Sequence, residues 1–253
     1  MSISRADHAP ALVGAATLLG LFALLELAIR AGLVDRYVVP PPSDVVASFA
    51  RIVTEEDIPH RFAQTALEGL GAAVLIALVG IPAGLLLYRH MVLRVAVQSW
   101  VAALAAAPLV LAYPLFLVIF GRSAMTIVMM GFISGVAPVT LKTLEGLSAT
   151  RRVLIDVGRS LKLTPAQQFR LVLLPAAVPT IFVGLRLGLV FALINIVGLE
   201  FLINFGGLGQ LINELAERYD LAGTYAAIAF VVLVSVLFFL ALERTERWLR
   251  PGR

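Results

Sequence analysis

Two stretches of 19 residues, Ser123–Leu141 and Thr224–Leu242, carry no charged side chain at all. A span of the bilayer core needs about 20 mostly apolar residues, because a helix rises about 1.5 Å per residue. No soluble domain has use for two such stretches, so lipid is the solvent this chain is written for. The rest of the composition agrees: 60% of the 253 residues are hydrophobic and only 14% are charged, against about 25% in a soluble domain.

Four more regions qualify as spans. Ala11–Ile29 is interrupted only by Glu26, and Phe62–Tyr88 only by Glu68. Leu93–Phe120 is long and punctuated by Pro108 and Pro114, which predicts one span running into an irregular turn. Pro175–Ile203 contains Arg186 and Glu200. The first region is too long for the apolar part of a secretory signal, and no small-x-small cleavage site follows it, so the expectation is a retained span. The fold class predicted is an all-α integral membrane protein of six transmembrane helices.

Lys and Arg orient such a chain, because cytoplasmic segments carry the excess. With the amino terminus inside, the cytoplasmic segments hold 13 basic residues and the opposite side holds six. Glu55, Glu56, Asp57, Glu214, Glu217 and Asp220 all fall outside. Both termini are therefore expected in the cytoplasm. On the outer side, Val39–Asp44 contains three prolines and predicts a helix start capped by Ser43 or Asp44. Val45, Val46, Phe49, Ile52 and Val53 follow at helical spacing and predict a short amphipathic helix, lying on the membrane or against other spans. Gly206–Gly209 opens a second outer helix over Gln210–Arg218.

The segment between the fourth and fifth spans, about residues 142–174, is long for a bare connection. Leu154, Val157, Gly158 and Leu161 recur at helical spacing as an apolar stripe, with Arg152, Asp156, Arg159 and Lys162 on the other faces. Thr164-Pro165-Ala166-Gln167 then supplies an N-cap, a proline at the first helical position and a glutamine at the third: a capping box. Two short helices at an angle are expected, with Pro175 bending the chain into the fifth span. A loose basic loop would need neither the capping box nor the proline start.

This stretch resembles the loop that marks permease subunits of binding-protein-dependent ABC importers. That pattern is Glu-Ala-Ala, three residues, Gly, nine residues, Ile-x-Leu-Pro. Here Asp156-Val157-Gly158 stands in the first slot, Lys162 in the glycine slot and Val172-Leu173-Leu174-Pro175 at the end. The spacing matches, and three identities depart. From about Tyr37 onward, Gly80-Ile81-Pro82-Ala83-Gly84, Pro114-Leu115, Gly184-Leu185-Arg186, Glu200 and Gly207-Leu208-Gly209 resemble the nitrate/sulfonate/taurine branch.

The resemblance implies a division into residues 1–36, the amino-terminal end and first span, and residues 37–253, the permease core. It implies a coupling loop read by a separate ATPase subunit, with Asp156, Val157, Gly158, Leu161, Lys162, Phe169, Arg170 and Pro175 as coupling residues. Gly158 is expected to face the partner's groove. A multi-pass place in a bacterial inner membrane is implied too, with a second copy of this chain, two ATPase subunits and an extracytoplasmic binding protein. No nucleic acid is involved, ATP belongs to the partner, and the solute is a small, anionic one.

No ATPase of its own is expected, since Lys142 and Lys162 are the only lysines and neither follows a glycine, as a phosphate loop requires. No cysteine is present, and His8, His60 and His90 are far apart, so neither a thiolate nor a histidine metal site is written here. A self-contained secondary transporter would show inverted repeats, and a membrane-embedded enzyme would show a catalytic constellation; neither is visible. Arg186 and Glu200, 14 residues apart, share one helical face, with Asn195 near its edge, and predict either a polar translocation path or a buried structural network. Glu26 and Glu68 are expected to be structural.

Overall fold

A computed structural model describes residues 9–248. Among the described residues there are helices and no strands. They run in the order α1 (Ala9–Arg30), α2 (Pro42–Glu55), α3 (Ile58–Arg89), α4 (Met91–Ala106), α5 (Tyr113–Phe120), α6 (Ala124–Ser148), α7 (Arg152–Ser160), α8 (Pro165–Gln168), α9 (Leu174–Ile203), α10 (Gly207–Glu217) and α11 (Leu221–Trp248). Five helical stretches are long and apolar enough to cross a membrane. The region expected as the third span is broken. After α4, one tight turn at Leu109–Ala112 leads into α5, and the two arms are bent by 92°. Counted as one span, the bent pair makes a sixth. Pro108 causes the break, having no N–H to continue the helix ladder.

The centre of the molecule is a three-helix contact between α3, α6 and α9. Each carries two glycines one turn apart: Gly80 and Gly84 on α3, Gly131 and Gly135 on α6, Gly184 and Gly188 on α9. In lipid there is little hydrophobic gain from burying one apolar helix against another, so close backbone approach supplies the association. The approach is tight. A Cβ on Gly135 would stand 2.6 Å from the Gly188 carbonyl oxygen, and one on Gly188 would stand 2.7 Å from that of Gly135. On the other side, a Cβ on Gly84 would meet Thr143 Cβ at 2.5 Å. Around these crossings pack Ile76, Ile127, Met130, Val139, Ile196 and Leu199, all essentially without solvent contact.

A second cluster sits at one end of the bundle. Ile52 of α2 is fully enclosed, and Val45 and Phe49 join Leu211, Leu215, Ala226 and Ala227. The amphipathic face of α2 therefore lies on α10 and α11. Its start differs from the expectation: α2 begins at Pro42, neither Ser43 nor Asp44 caps it, and the flanking Pro41 makes no side-chain cap. Once Pro42 holds the first helical position, Ser43 lies within the first turn. Its N–H and hydroxyl instead donate to the Glu26 carboxylate at 3.1 and 2.8 Å, and Arg30 closes on the same group at 2.7 Å. That knot ties α1, otherwise almost entirely exposed, to the rest of the chain.

The glycine contacts have a direct test. Gly188→Ala is expected to lower the stability of the detergent-solubilised protein by about 1–3 kcal/mol, because the added methyl must force α6 and α9 apart. Gly198→Ala on the same helix meets nothing within 4 Å, and is expected to leave stability level or raise it by up to about 1 kcal/mol. Equal melting temperatures for the two variants would mean that the crossing is not close-packed.

Candidate functional site: the loop between α6 and α9

Three consecutive devices build this loop. The first is α7 with the turn at Lys162 that closes it. Helices end readily on a left-handed residue, normally glycine. Lys162 takes that conformation with φ 57°. The Leu163 N–H then reaches the Gly158 carbonyl at 3.0 Å, and the Lys162 N–H reaches that of Arg159 at 2.9 Å. These are the paired bonds of a Schellman cap, so lysine makes the turn that the glycine slot implies.

The second device is the capping box. The Gln167 N–H donates to Thr164 Oγ1 at 3.3 Å and the Thr164 N–H to Gln167 Oε1 at 2.9 Å, as the sequence predicts. One residue on, Gln168 Nε2 donates to the Ile155 carbonyl at 3.0 Å, fastening α8 to α7.

The third corrects the expected bend at Pro175. Helix α8 is no separate element: Pro165–Ile203 is one helical stretch of 39 residues. Leu174 stays helical, at φ −63° and ψ −49°. Its N–H reaches back five residues to Phe169, closing a wide π turn over Phe169–Leu173. A proline ring inside a helix clashes with the carbonyl four residues back and removes a donor. The widened turn just before Pro175 takes up that misfit and keeps the helix continuous. Phe169 lies under the Arg89 guanidinium, 5.4 Å from ring centre to Cζ, and packs with Leu173 and Leu174 on Leu147, Ala177 and Ile181. Arg170 and Pro175 are exposed.

Gly158 also departs from the expectation. It is the one buried residue of α7 and faces its own chain: a Cβ there would meet Leu163 at 3.4 Å and Val172 at 3.6 Å. These are ordinary van der Waals distances, so the position is enclosed by the loop but has room for a methyl group. The residues turned outward are Val153, Leu154, Val157 and Leu161, together with Asp156, which pairs loosely with Arg159 at 3.4 Å.

The polar residues of α9 meet different neighbours. Arg186 lies over the Phe239 ring of α11 at 5.1 Å. Asn195 donates to the Phe191 carbonyl of its own helix at 2.9 Å. Glu200 is fully buried at the far end. Its carboxylate accepts from the Thr65 hydroxyl at 2.7 Å and from the Gly209 N–H at 2.8 Å, while the Leu208 N–H donates to Thr65 at 2.9 Å. The Glu68 carboxyl lies against it with one oxygen unpartnered. A Cβ on Gly207 would fall 2.1 Å from a Glu200 oxygen, so only glycine closes this turn, at φ 73°. Two residues 14 apart can share a projected face and still meet different neighbours, because about 21 Å of helix separates them. Glu200 thus serves a network inside the subunit.

At that same end, ion pairs tie α2, α3 and α10 to one another and to the turns that flank them: Arg51 with Asp220, Arg61 with Glu214 at 2.7 Å, and Arg218 with Glu56 at 2.9 Å. Burial works against the Asp220 carboxylate. The hydrogen bonds from Arg51 and the Gly223 N–H, with the charges of Arg51 and Arg218, outweigh it and hold Asp220 below the ordinary range.

Comparison with known proteins follows the same outline. The family model described as "Binding-protein-dependent transport system inner membrane component" matches residues 76–251. The formylaminopyrimidine transport permease protein ThiX of Halalkalibacterium halodurans is 27% identical over 86% of this chain and 86% of its own length. The taurine transport system permease protein TauC of Escherichia coli is 25% identical over 87% of this chain and 82% of its own length. The bicarbonate transport system permease protein CmpB of Synechocystis is 27% identical over 98% and 91%. Among solved structures, the inward-facing MetNI methionine ABC transporter matches with a TM-score of 0.64 at 21% identity, covering 74% of this chain and 93% of that one.

Two measurements test the site. Lys162→Gly removes a left-handed side chain that costs about 1–2 kcal/mol. Part of that gain is offset by the looser unfolded chain. The variant is therefore expected to slow hydrogen exchange at the Leu163 amide several-fold; equal or faster exchange would refute the cap. For Asp220 the folded pKa lies below the unfolded value of about 3.9. The ion pair therefore stabilises the fold above about pH 4 and is lost as the pH falls through the folded value. Melting temperature against pH should show an acid step that Asp220→Asn weakens; superimposable acid limbs would remove Asp220 from the account.

An apolar helical frame, a capped loop between α6 and α9 and a matching family model over residues 76–251 lead to one conclusion: this chain belongs to the binding-protein-dependent transport system inner membrane components, the permeases of ABC importers.

Proposed function

We propose that the chain is the permease subunit of an ABC importer, which lets a small solute through the membrane while a separate ATPase subunit reads the loop between α6 and α9. The observation that carries this reading is α7. Its outward apolar residues are left uncovered, yet the helix is capped at its end, bonded to α8 through Gln168 and set on a helix that continues to Ile203. Exposed apolar groups on a rigid support fit a docking element, and rigidity is what transmits a partner's motion.

The charge asymmetry supports a cytoplasmic position for that loop and for both termini, and a bacterial inner-membrane setting follows from the family. By the same reading two copies of this chain assemble with two ATPase subunits and one extracytoplasmic binding protein. Taurine and bicarbonate, in the relatives' names, each present an anionic group, whereas formylaminopyrimidine does not. The reading therefore commits to a small polar solute selected mainly by the binding protein. Arg186 and Asn195 remain as polar groups offered to the path, and Glu200 is assigned to structure.

Reconstitution tests the proposal. The chain, together with an ATPase subunit and a binding protein that co-purify with it, is placed in proteoliposomes. ATP-dependent uptake that the binding protein stimulates is the expected result. Uptake by this chain alone, driven by an ion gradient, would make it a secondary transporter instead.

A further inference from the structure

Resting on the ATPase reading just given, we infer that the partner's groove has two unlike walls, one apolar and one acidic, and that α7 lies between them. The helix is divided lengthwise. Taking about 100° per residue, Val153, Val157, Leu161 and Leu154 fall within an arc of about 100°. Leu161 is 69% exposed and Leu154 43%. Gly158 is buried against the rest of the loop, and Ile155, beside it, is half-buried, with its carbonyl accepting from Gln168. Arg152 and Arg159 lie within about 20° of each other on the far flank, and Arg159 is 72% exposed. The crest between the two flanks, opposite Gly158, is Asp156, Ser160 and Val153.

A helix seated crest-down in a groove touches both walls. Four aliphatic side chains on one flank require an apolar surface that excludes water. Two arginines on the other require carboxylates, and Lys162 at the end of the helix adds to the same sign. Lipid is the competing source of negative charge. An interfacial helix sets its basic residues at the edges of a single apolar face. Here the arginines stand about 160° from the centre of the apolar stripe, with an acid on the crest between them. Charge complementarity therefore favours a protein groove, and one with a defined polarity across its width.

The test uses the whole complex in nanodiscs of phosphatidylcholine, which has no net charge, and reads the ATPase retained on the immobilised permease. Wild-type retention is expected to fall as NaCl rises from about 50 to about 500 mM, since screening weakens partly exposed charge pairs. Arg152→Glu/Arg159→Glu is expected to retain roughly tenfold less at low salt, while Arg152→Lys/Arg159→Lys retains most. Leu154→Ser/Leu161→Ser should lose ATPase at every salt concentration without altering the salt slope. All these side chains are exposed, so the variants should remain monodisperse. Salt-independent retention together with a neutral Glu variant would overturn the acidic wall. Charge effects seen only when anionic lipid is added would assign the arginines to headgroups and overturn it equally. Wild-type protein that retains no ATPase at any salt would instead refute the docking role of the loop.

Discussion

The backbone-to-backbone approach of α6 and α9 at Gly135 and Gly188 is the contact on which the rest of this structure depends. Lipid tails satisfy apolar side chains as well as another helix does, so the membrane offers little reason for spans to associate. Removing side chains at the crossing supplies one, by letting two backbones meet and their flanking residues interlock. The same device on α3, where Gly84 meets Thr143, adds the third helix. Everything peripheral hangs on this trio: α4 and α5 lean on α6, α10 folds back on α9 and α3, and α11 is held chiefly by α2 and α10.

Polar groups are placed at the two ends of that frame, and each end solves a different problem. At one end α9 turns back sharply, and freed N–H groups must find acceptors. Glu200, Thr65 and Gln64 provide them, at the requirement that Gly207 have no side chain. The ion pairs of Arg51, Arg61 and Arg218 then lash the outlying helices together over this turn. At the other end the loop satisfies its own backbone through a Schellman cap, a capping box and a side-chain amide. Its hydrogen bonds are spent on keeping its shape, and its apolar side chains are left facing out.

Much of this was legible in the sequence. The apolar stretches lie where long helices form, and the Thr164–Gln167 box makes both of its bonds. What could not be read concerns direction and competition. Periodicity placed Gly158 on the apolar stripe of α7, but a glycine on a stripe can mark either an outward notch or an inward contact, and only the fold says which. Pro175 carried a local preference for a bend, which a π turn of five residues absorbed. Ser43 had the chemistry of a cap and found a carboxylate. Arg186 and Glu200 shared a projected face while the folded chain gave them different neighbours. The helix crossing was missed, although the paired glycines of α3, α6 and α9 stand four apart in the sequence, a spacing that could have signalled it.

Under the proposed coupling, the unbroken run from Pro165 to Ile203 would work as a first-order lever. At about 1.5 Å per residue, some 35 Å separate Pro165 from the crossing at Gly188, and some 22 Å separate that crossing from Ile203. A tilt of about 5° around the crossing would displace the loop end by roughly 3 Å and the far end by roughly 2 Å in the opposite sense. The far end carries Asn204–Gly207 and, through Glu200, the seat of α10. The fulcrum lies off-centre, with its long arm on the loop side: it trades travel at the loop for force at the turn across the membrane.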